Sequence, residues 1–269
     1  MSAFRNIGIF DSGVGGLTVL AAARAACPGT QFVYLGDTAR VPYGSKSATV
    51  VRRYAREIAH YLTKARAVDA LVVACNSASA AAIDVLRQEC PVPVYDVIAP
   101  GAGAAVAQTR TGKIGVLATR GTVRSQAYVR EIHRLDPHAE VTQVACPLFV
   151  PLAEEGWTTG PIPQTIALEY VRPLIEANCD TVILGCTHYP LLRDAIANAI
   201  CVEVNLVDSA QPLAASLADR AATGSGRLDI LTTDDPERFR ELGDRFLGET
   251  CPEPELVPIE VLAEPEAIS

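Results

Sequence analysis

Short β-branched runs alternate along the chain with Ala-rich segments of helical length. The runs at 6–10, 31–35, 70–74, 113–118, 139–145, 181–184 and 202–207 predict strands. Helices are expected between them at 17–26, 47–66, 78–89, 123–135, 163–177 and 191–199. Val72-Val73-Ala74 and Val182-Ile183-Leu184 are apolar without alternation. Strands of that kind, separated by helices, imply parallel sheets covered on both faces, so the fold class is α/β.

The pattern also repeats. Ile7-Gly8-Ile9-Phe10 is echoed by Ile114-Gly115-Val116-Leu117, 107 positions later, and Cys75 after one apolar strand is echoed by Cys186, 111 positions later. A near-constant offset fits one duplicated unit, in which a first strand ends in a polar turn and a later strand ends in a cysteine. The expected architecture is two pseudo-symmetric lobes, each a mainly parallel sheet flanked by helices, with the site in the cleft between them. The Pro- and Gly-rich stretch 91–103 reads as one crossing between lobes, and Asp208-Ser209 as a second. A strand at 228–231 and a helix at 236–247 then return to the first lobe. The expected lobes are 1–98 plus 209–269, and 99–208. An edge strand is expected at 257–262, with a frayed end beyond it.

A net charge of −8 argues against broad contact with nucleic acid or an anionic membrane, although it leaves room for a small anionic substrate. No stretch approaches the roughly 20 apolar residues that span a bilayer, and Asp11 interrupts the first apolar run early. A cytoplasmic protein is therefore expected, with its eight cysteines as thiols rather than a disulfide framework. With four His residues and no Cys-x-x-Cys pair, no metal site is expected.

In open α/β sheets, ligands collect beyond the carboxyl ends of the strands. Four polar turns fall there: Asp11-Ser12-Gly13, Cys75-Asn76-Ser77, Thr119-Arg120-Gly121-Thr122 and Cys186-Thr187-His188. If duplicated lobes face each other, the two thiols point into one cleft from opposite sides. That arrangement suits inversion at an α-carbon, where a thiolate removes a proton from one face and a thiol returns one to the other. Both cysteines sit at a strand-to-helix turn, where backbone N–H groups favour negative charge and can also bind a carboxylate. Asp11 and His188 are candidate partners for the thiols, although Asp11 also fits a helix cap and His188 a backbone bond. Cys27, Cys90, Cys146, Cys179, Cys201 and Cys251 are expected to be small buried hydrophobes. The glycines Gly13, Gly15 and Gly16 match neither a dinucleotide fingerprint nor a P-loop. They suit a tight turn and close backbone approach to a small ligand.

Several motifs together resemble the glutamate racemase family: Asp11-Ser12-Gly13-Val14-Gly15-Gly16, the stretch from Gly36 to Gly44, Ala74-Cys75-Asn76-Ser77, Ala118-Thr119-Arg120-Gly121-Thr122, the stretch from Cys146 to Glu154, and Gly185-Cys186-Thr187-His188-Tyr189-Pro190. They cover the chain from Ile7 to the carboxyl-terminal helix in order. The resemblance implies cofactor-independent interconversion of L- and D-glutamate, supplying D-glutamate for peptidoglycan, by an enzyme that is often a homodimer. It implies Cys75 and Cys186 as the acid/base pair, Asp11 assisting Cys75, and His188 with Glu154 assisting Cys186. Asp11, Ser12, Pro42, Tyr43, Gly44, Asn76, Ser77, Thr119, Thr122, Thr187 and His188 would bind substrate. Ser77 departs from the family's usual Thr, keeping the hydroxyl and losing a methyl group. Glu155 adjoins Glu154 and competes for its place. The rival readings are an aspartate or broad-specificity racemase with the same thiols, a thiol redox protein, and a non-catalytic binding protein.

Overall fold

In a computed structural model, residues 3–200 and 203–263 are described. The first unit runs β1 (Asn6–Asp11), α1 (Leu17–Ala26), β2 (Gln31–Gly36), α2 (Ala48–Lys64), β3 (Ala70–Val73), α3 (Asn76–Glu89) and β4 (Val94–Asp96). After α4 (Ile98–Gln108), the second unit runs β5 (Lys113–Ala118), α5 (Arg120–Ser125), α6 (Ala127–Leu135), β6 (Glu140–Ala145), α7 (Phe149–Glu154), α8 (Pro161–Glu176), β7 (Thr181–Gly185), α9 (Arg193–Ile200) and β8 (Asn205–Asp208). Then follow α10 (Ala210–Ala218), β9 (Leu228–Thr232), α11 (Pro236–Leu247), β10 (Glu255–Leu256) and α12 (Ile259–Leu262).

The duplication is visible in the strand order. Among the described residues one sheet is β10-β9-β2-β1-β3-β4 and the other β6-β5-β7-β8, with every pairing parallel. Position by position β2-β1-β3-β4 corresponds to β6-β5-β7-β8, and β9 and β10 extend the first sheet on its β2 edge. The central strands explain themselves: Ala70, Leu71, Val72 and Val73 are all buried, as are all residues of β7. In α2, Oγ of Ser47 accepts from the Val50 amide, and Val51, Ala55, Ile58, Ala59 and Leu62 form the buried stripe. In α11, Asp235 caps the start, Pro236 opens the first turn, and Gly248 closes the end at φ +76°.

The stretch 91–103 is not a loop crossing. It forms β4 and the start of α4, because Oδ1 of Asp96 accepts from the amides of Ile98 and Ala99 at 2.7 and 3.0 Å. Pro100 falls in the first turn, where a missing N–H costs nothing. Asp208 repeats the device, accepting from the Ala210 amide at 3.0 Å ahead of α10. The two transitions lie side by side: a Cβ on Gly101 would stand 2.5 Å from Oγ of Ser209.

The helix expected at 123–135 is two helices. Gln126 breaks it at φ 57°, while Oγ of Ser125 donates to the Thr122 carbonyl and accepts from the Ala127 amide. The expected edge strand at 257–262 is also replaced: pairing with β9 ends at Leu256, Pro258 has no N–H to continue it, and α12 follows. The strand expected from Val202 begins at Asn205; Cys201, Val202 and the end of the chain from 264 lie outside the described residues. No helix among the described residues is long and apolar enough to cross a membrane.

Candidate active site

The carboxyl ends of both sheets line one cavity of about 190 Å³. β1 ends in Asp11 and Ser12, the loop after β2 carries Pro42, Tyr43 and Gly44, and β3 leads into Cys75, Asn76 and Ser77. From the other sheet β5 leads into Thr119, α7 ends in Glu154, and β7 leads into Cys186, Thr187 and His188. The volume lies below the roughly 300–1,000 Å³ of drug-sized sites, which suits a small substrate. A larger groove of about 590 Å³ runs between α2 and Leu262, away from the strand ends, and its arginines Arg53 and Arg56 pair with Glu57 and Glu89.

Cys75 is the N-cap residue of α3, and its Sγ lies 3.7 Å from Oγ of Ser12. Burial, and then the Asp11 carboxylate, push its thiol well up; the Ala78 amide and the Ser12 hydroxyl oppose them. Asp11 accepts from the Gly13 amide through Oδ2, while Oδ1 is buried with no hydrogen-bond partner among the described residues.

Cys186 has a different setting. It precedes a 3₁₀ turn at Tyr189–Leu192 rather than capping an α-helix. Nδ1 of His188 is 3.8 Å from its Sγ, and Nε2 is 2.9 Å from Oε1 of Glu154. Burial acts to lower the His188 pKa, but the bonds to Cys186 and Glu154 outweigh it and hold the imidazole up at about 10. A positive charge therefore stands beside Cys186. Glu155 takes no part; it faces Arg238 at 3.6 Å.

Surrounding contacts fix these loops. The Tyr43 hydroxyl donates to the buried Asp37 carboxylate, which also receives Nε of Arg40 at 2.7 Å and Oγ1 of Thr233 at 3.0 Å. The Tyr128 hydroxyl donates to Oδ1 of Asn76 at 2.7 Å. Ser77 and Thr119 join hydroxyls across the two sheets at 2.9 Å. Thr122, expected to bind substrate, does not line the cavity. It is fully buried, 3.1 Å from Oγ1 of Thr119, because the Thr119 cap turns it inward at the start of α5.

The glycine motif permits close approach between loops. A Cβ on Gly15 would stand 2.4 Å from both Oγ1 of Thr187 and Nδ1 of His188, and one on Gly44 would stand 2.7 Å from Cβ of Thr119. The sequence reading missed Arg120, Pro147, Val150 and Pro151, which also line the cavity. All four lie inside the quoted motifs, which was the one signal available for them. Of the remaining cysteines, Cys27, Cys146, Cys179 and Cys251 are buried, whereas Cys90 is only half-buried at the end of α3. Among the described residues no group of three or more His, Cys, Asp or Glu side chains is placed to hold a metal ion.

The Asp/Glu/Hydantoin racemase family matches residues 17–217. The chain belongs to that family. It is accordingly an amino-acid racemase, an isomerase. It is similar to the glutamate racemase of Geobacter metallireducens, at 49% identity over 253 residues, covering 91% of this chain and 93% of that one. Its fold is that of solved glutamate racemases. The structure of an isoform from Bacillus anthracis matches with a TM-score of 0.89 at 35% identity, over 94% of this chain and 97% of the other. That of the Francisella tularensis enzyme in complex with D-glutamate matches with a TM-score of 0.88 at 34% identity, over 95% and 98%.

Proposed function

We propose that this racemase interconverts L- and D-glutamate without a cofactor, using Cys75 and Cys186 as the two acid/base groups. One observation carries the reading: thiols from equivalent strand ends of the two units line a single small cavity, each with a different ionisable partner. Inversion at the α-carbon needs a base on one face and an acid on the other. With the His188 cation at its side, Cys186 serves as thiolate and takes the α-proton. Cys75, held protonated by burial and Asp11, returns a proton to the opposite face. In the reverse direction Cys75 first gives its proton to the unpartnered Oδ1 of Asp11, and Cys186 is reprotonated from His188.

The substrate carboxylates would be met by Ser12, Asn76, Ser77, Thr119 and Thr187, together with backbone N–H groups beside Pro42, Tyr43 and Gly44. These donors recognise anionic oxygen through hydroxyls, amides and backbone N–H groups, with the Arg120 guanidinium also on the cavity wall. The two sheets support a division into lobes 1–98 plus 209–269, and 99–208, with substrate held between them. The product D-glutamate would supply peptidoglycan synthesis in the cytoplasm, and a homodimer is the form we expect. Aspartate is the nearest alternative substrate, shorter by one methylene. Purified protein incubated with each enantiomer of glutamate and of aspartate, followed by circular dichroism, tests the reading. Glutamate should lose its optical activity at least tenfold faster than aspartate. Equal or faster loss with aspartate, or none with glutamate, overturns the assignment.

A further inference from the structure

By sequence α11 belongs with the first sheet: it follows β9 and packs on α1. Its last turn nevertheless reaches the other side of the cavity. Nη1 of Arg245 donates to the carbonyl oxygens of Glu154 at 2.6 Å and Ala153 at 3.3 Å, the final carbonyls of α7. The Pro151, Leu152 and Ala153 carbonyls already accept from the amides of Glu155, Trp157 and Gly156 at 2.9, 2.8 and 3.2 Å, and the guanidinium adds its shortest bond at the Glu154 carbonyl, the last of the helix. The chain then closes over that guanidinium: Gly156 has φ +74°, and a Cβ there would stand 3.0 Å from Cζ of Arg245. The next residue, Phe246, sets its ring 5.0 Å from the His188 imidazole, edge to face at 74°.

We propose that Arg245 is a positioning residue: by gripping the last turn of α7 it holds the Glu154 carboxylate on Nε2 of His188, while Phe246 packs against the imidazole. This rests on His188 and Glu154 serving Cys186 as proposed above. Without that grip, the last residue of α7 is held only through the backbone bonds of the turn that follows, and the Glu154 carboxylate is freer to leave the ring. Asp11, Cys75, Arg120, Glu154 and Cys186 share the cavity with His188; Tyr189 follows it in the chain and α11 brings Arg245. Of these, Cys186 and Glu154 hydrogen-bond the ring.

Two effects of removing Arg245 have opposite signs. Loss of a nearby positive charge, taken alone, makes the imidazole easier to protonate. Release of Glu154 makes it harder. The imidazole titration of His188, followed by NMR, therefore distinguishes positioning from simple charge. In Arg245→Ala the midpoint should fall by about one pH unit or more, with a fall of about tenfold in kcat/KM above pH 8. Arg245→Lys, which keeps a charged donor, should restore most of both. Arg238→Ala, which loses ion pairs with Glu155 and Glu241, should leave both near wild type. A midpoint for Arg245→Ala at or above wild type, or equal changes in Arg245→Ala and Arg238→Ala, overturns the proposal. Should Arg245→Ala fail to fold, Arg245→Gln is read by the same sign. The titration needs no turnover, so failure of the wild type to racemise glutamate sinks the functional reading without deciding this one.

Discussion

Nε2 of His188 lies 2.9 Å from Oε1 of Glu154, while the adjoining Glu155 faces Arg238. The pair makes the two sides of the cavity electrostatically unlike. One thiol has a carboxylate for a neighbour and the other an imidazolium, although the strands that deliver them are equivalent.

The imidazolium gives stability a definite pH dependence. His188 is held at about 10 in the folded protein, against about 6.5 for an unperturbed side chain. A raised pKa contributes stability that is fully present below about 6.5 and is lost as pH rises through about 10. Thermal denaturation of the wild type should therefore show Tm falling across this window. Glu154→Gln should flatten the fall and lower the His188 midpoint. Equal slopes in both proteins would argue against the pair.

Gly15→Ala tests the packing of the two loops that meet at Gly15 and Thr187. Its methyl group would overlap Thr187 and His188 at 2.4 Å, so one loop must shift. Activity should fall by about 10²-fold, because displacements near 1 Å cost that much, while stability falls by about 1–3 kcal/mol. Steady-state kinetics and urea denaturation of the same sample separate the two. Unchanged kcat would mean that the loops tolerate separation.

Cys75→Ser and Cys186→Ser should each lower racemisation by about 10²-fold or more, the usual contribution of a general acid or base. Cys27→Ser, at the fully buried C-cap of α1 and outside the cavity lining, should lose stability and keep its kcat. Comparable loss of turnover in all three would point to unfolding rather than chemistry.

How much of this was legible in the sequence depended on how local the signal was. The central strands announced themselves through unbroken apolar runs, and the site turns through polar residues directly after them. The repeat of Asp96 and Asp208 ahead of α4 and α10 is also present in the sequence. It was obscured by Pro91, Pro93 and Pro100, which read as loop punctuation. α7 was hidden by its length and by Pro151. Glu154 and Glu155 could not be separated by pattern, since neighbours on a helix point about 100° apart and only the fold shows which direction meets His188. Tyr128, Arg245 and Phe246 act on the site from distant parts of the chain, and no spacing connects them to their partners.

The two-thiol account is tested most directly by racemisation in D₂O with α-protiated L-glutamate, stopped early. Opposed bases predict that the D-glutamate formed carries deuterium at the α-carbon while the remaining L-glutamate keeps its hydrogen, because each face exchanges with its own thiol. D-glutamate that retains the substrate's own α-hydrogen would contradict the account.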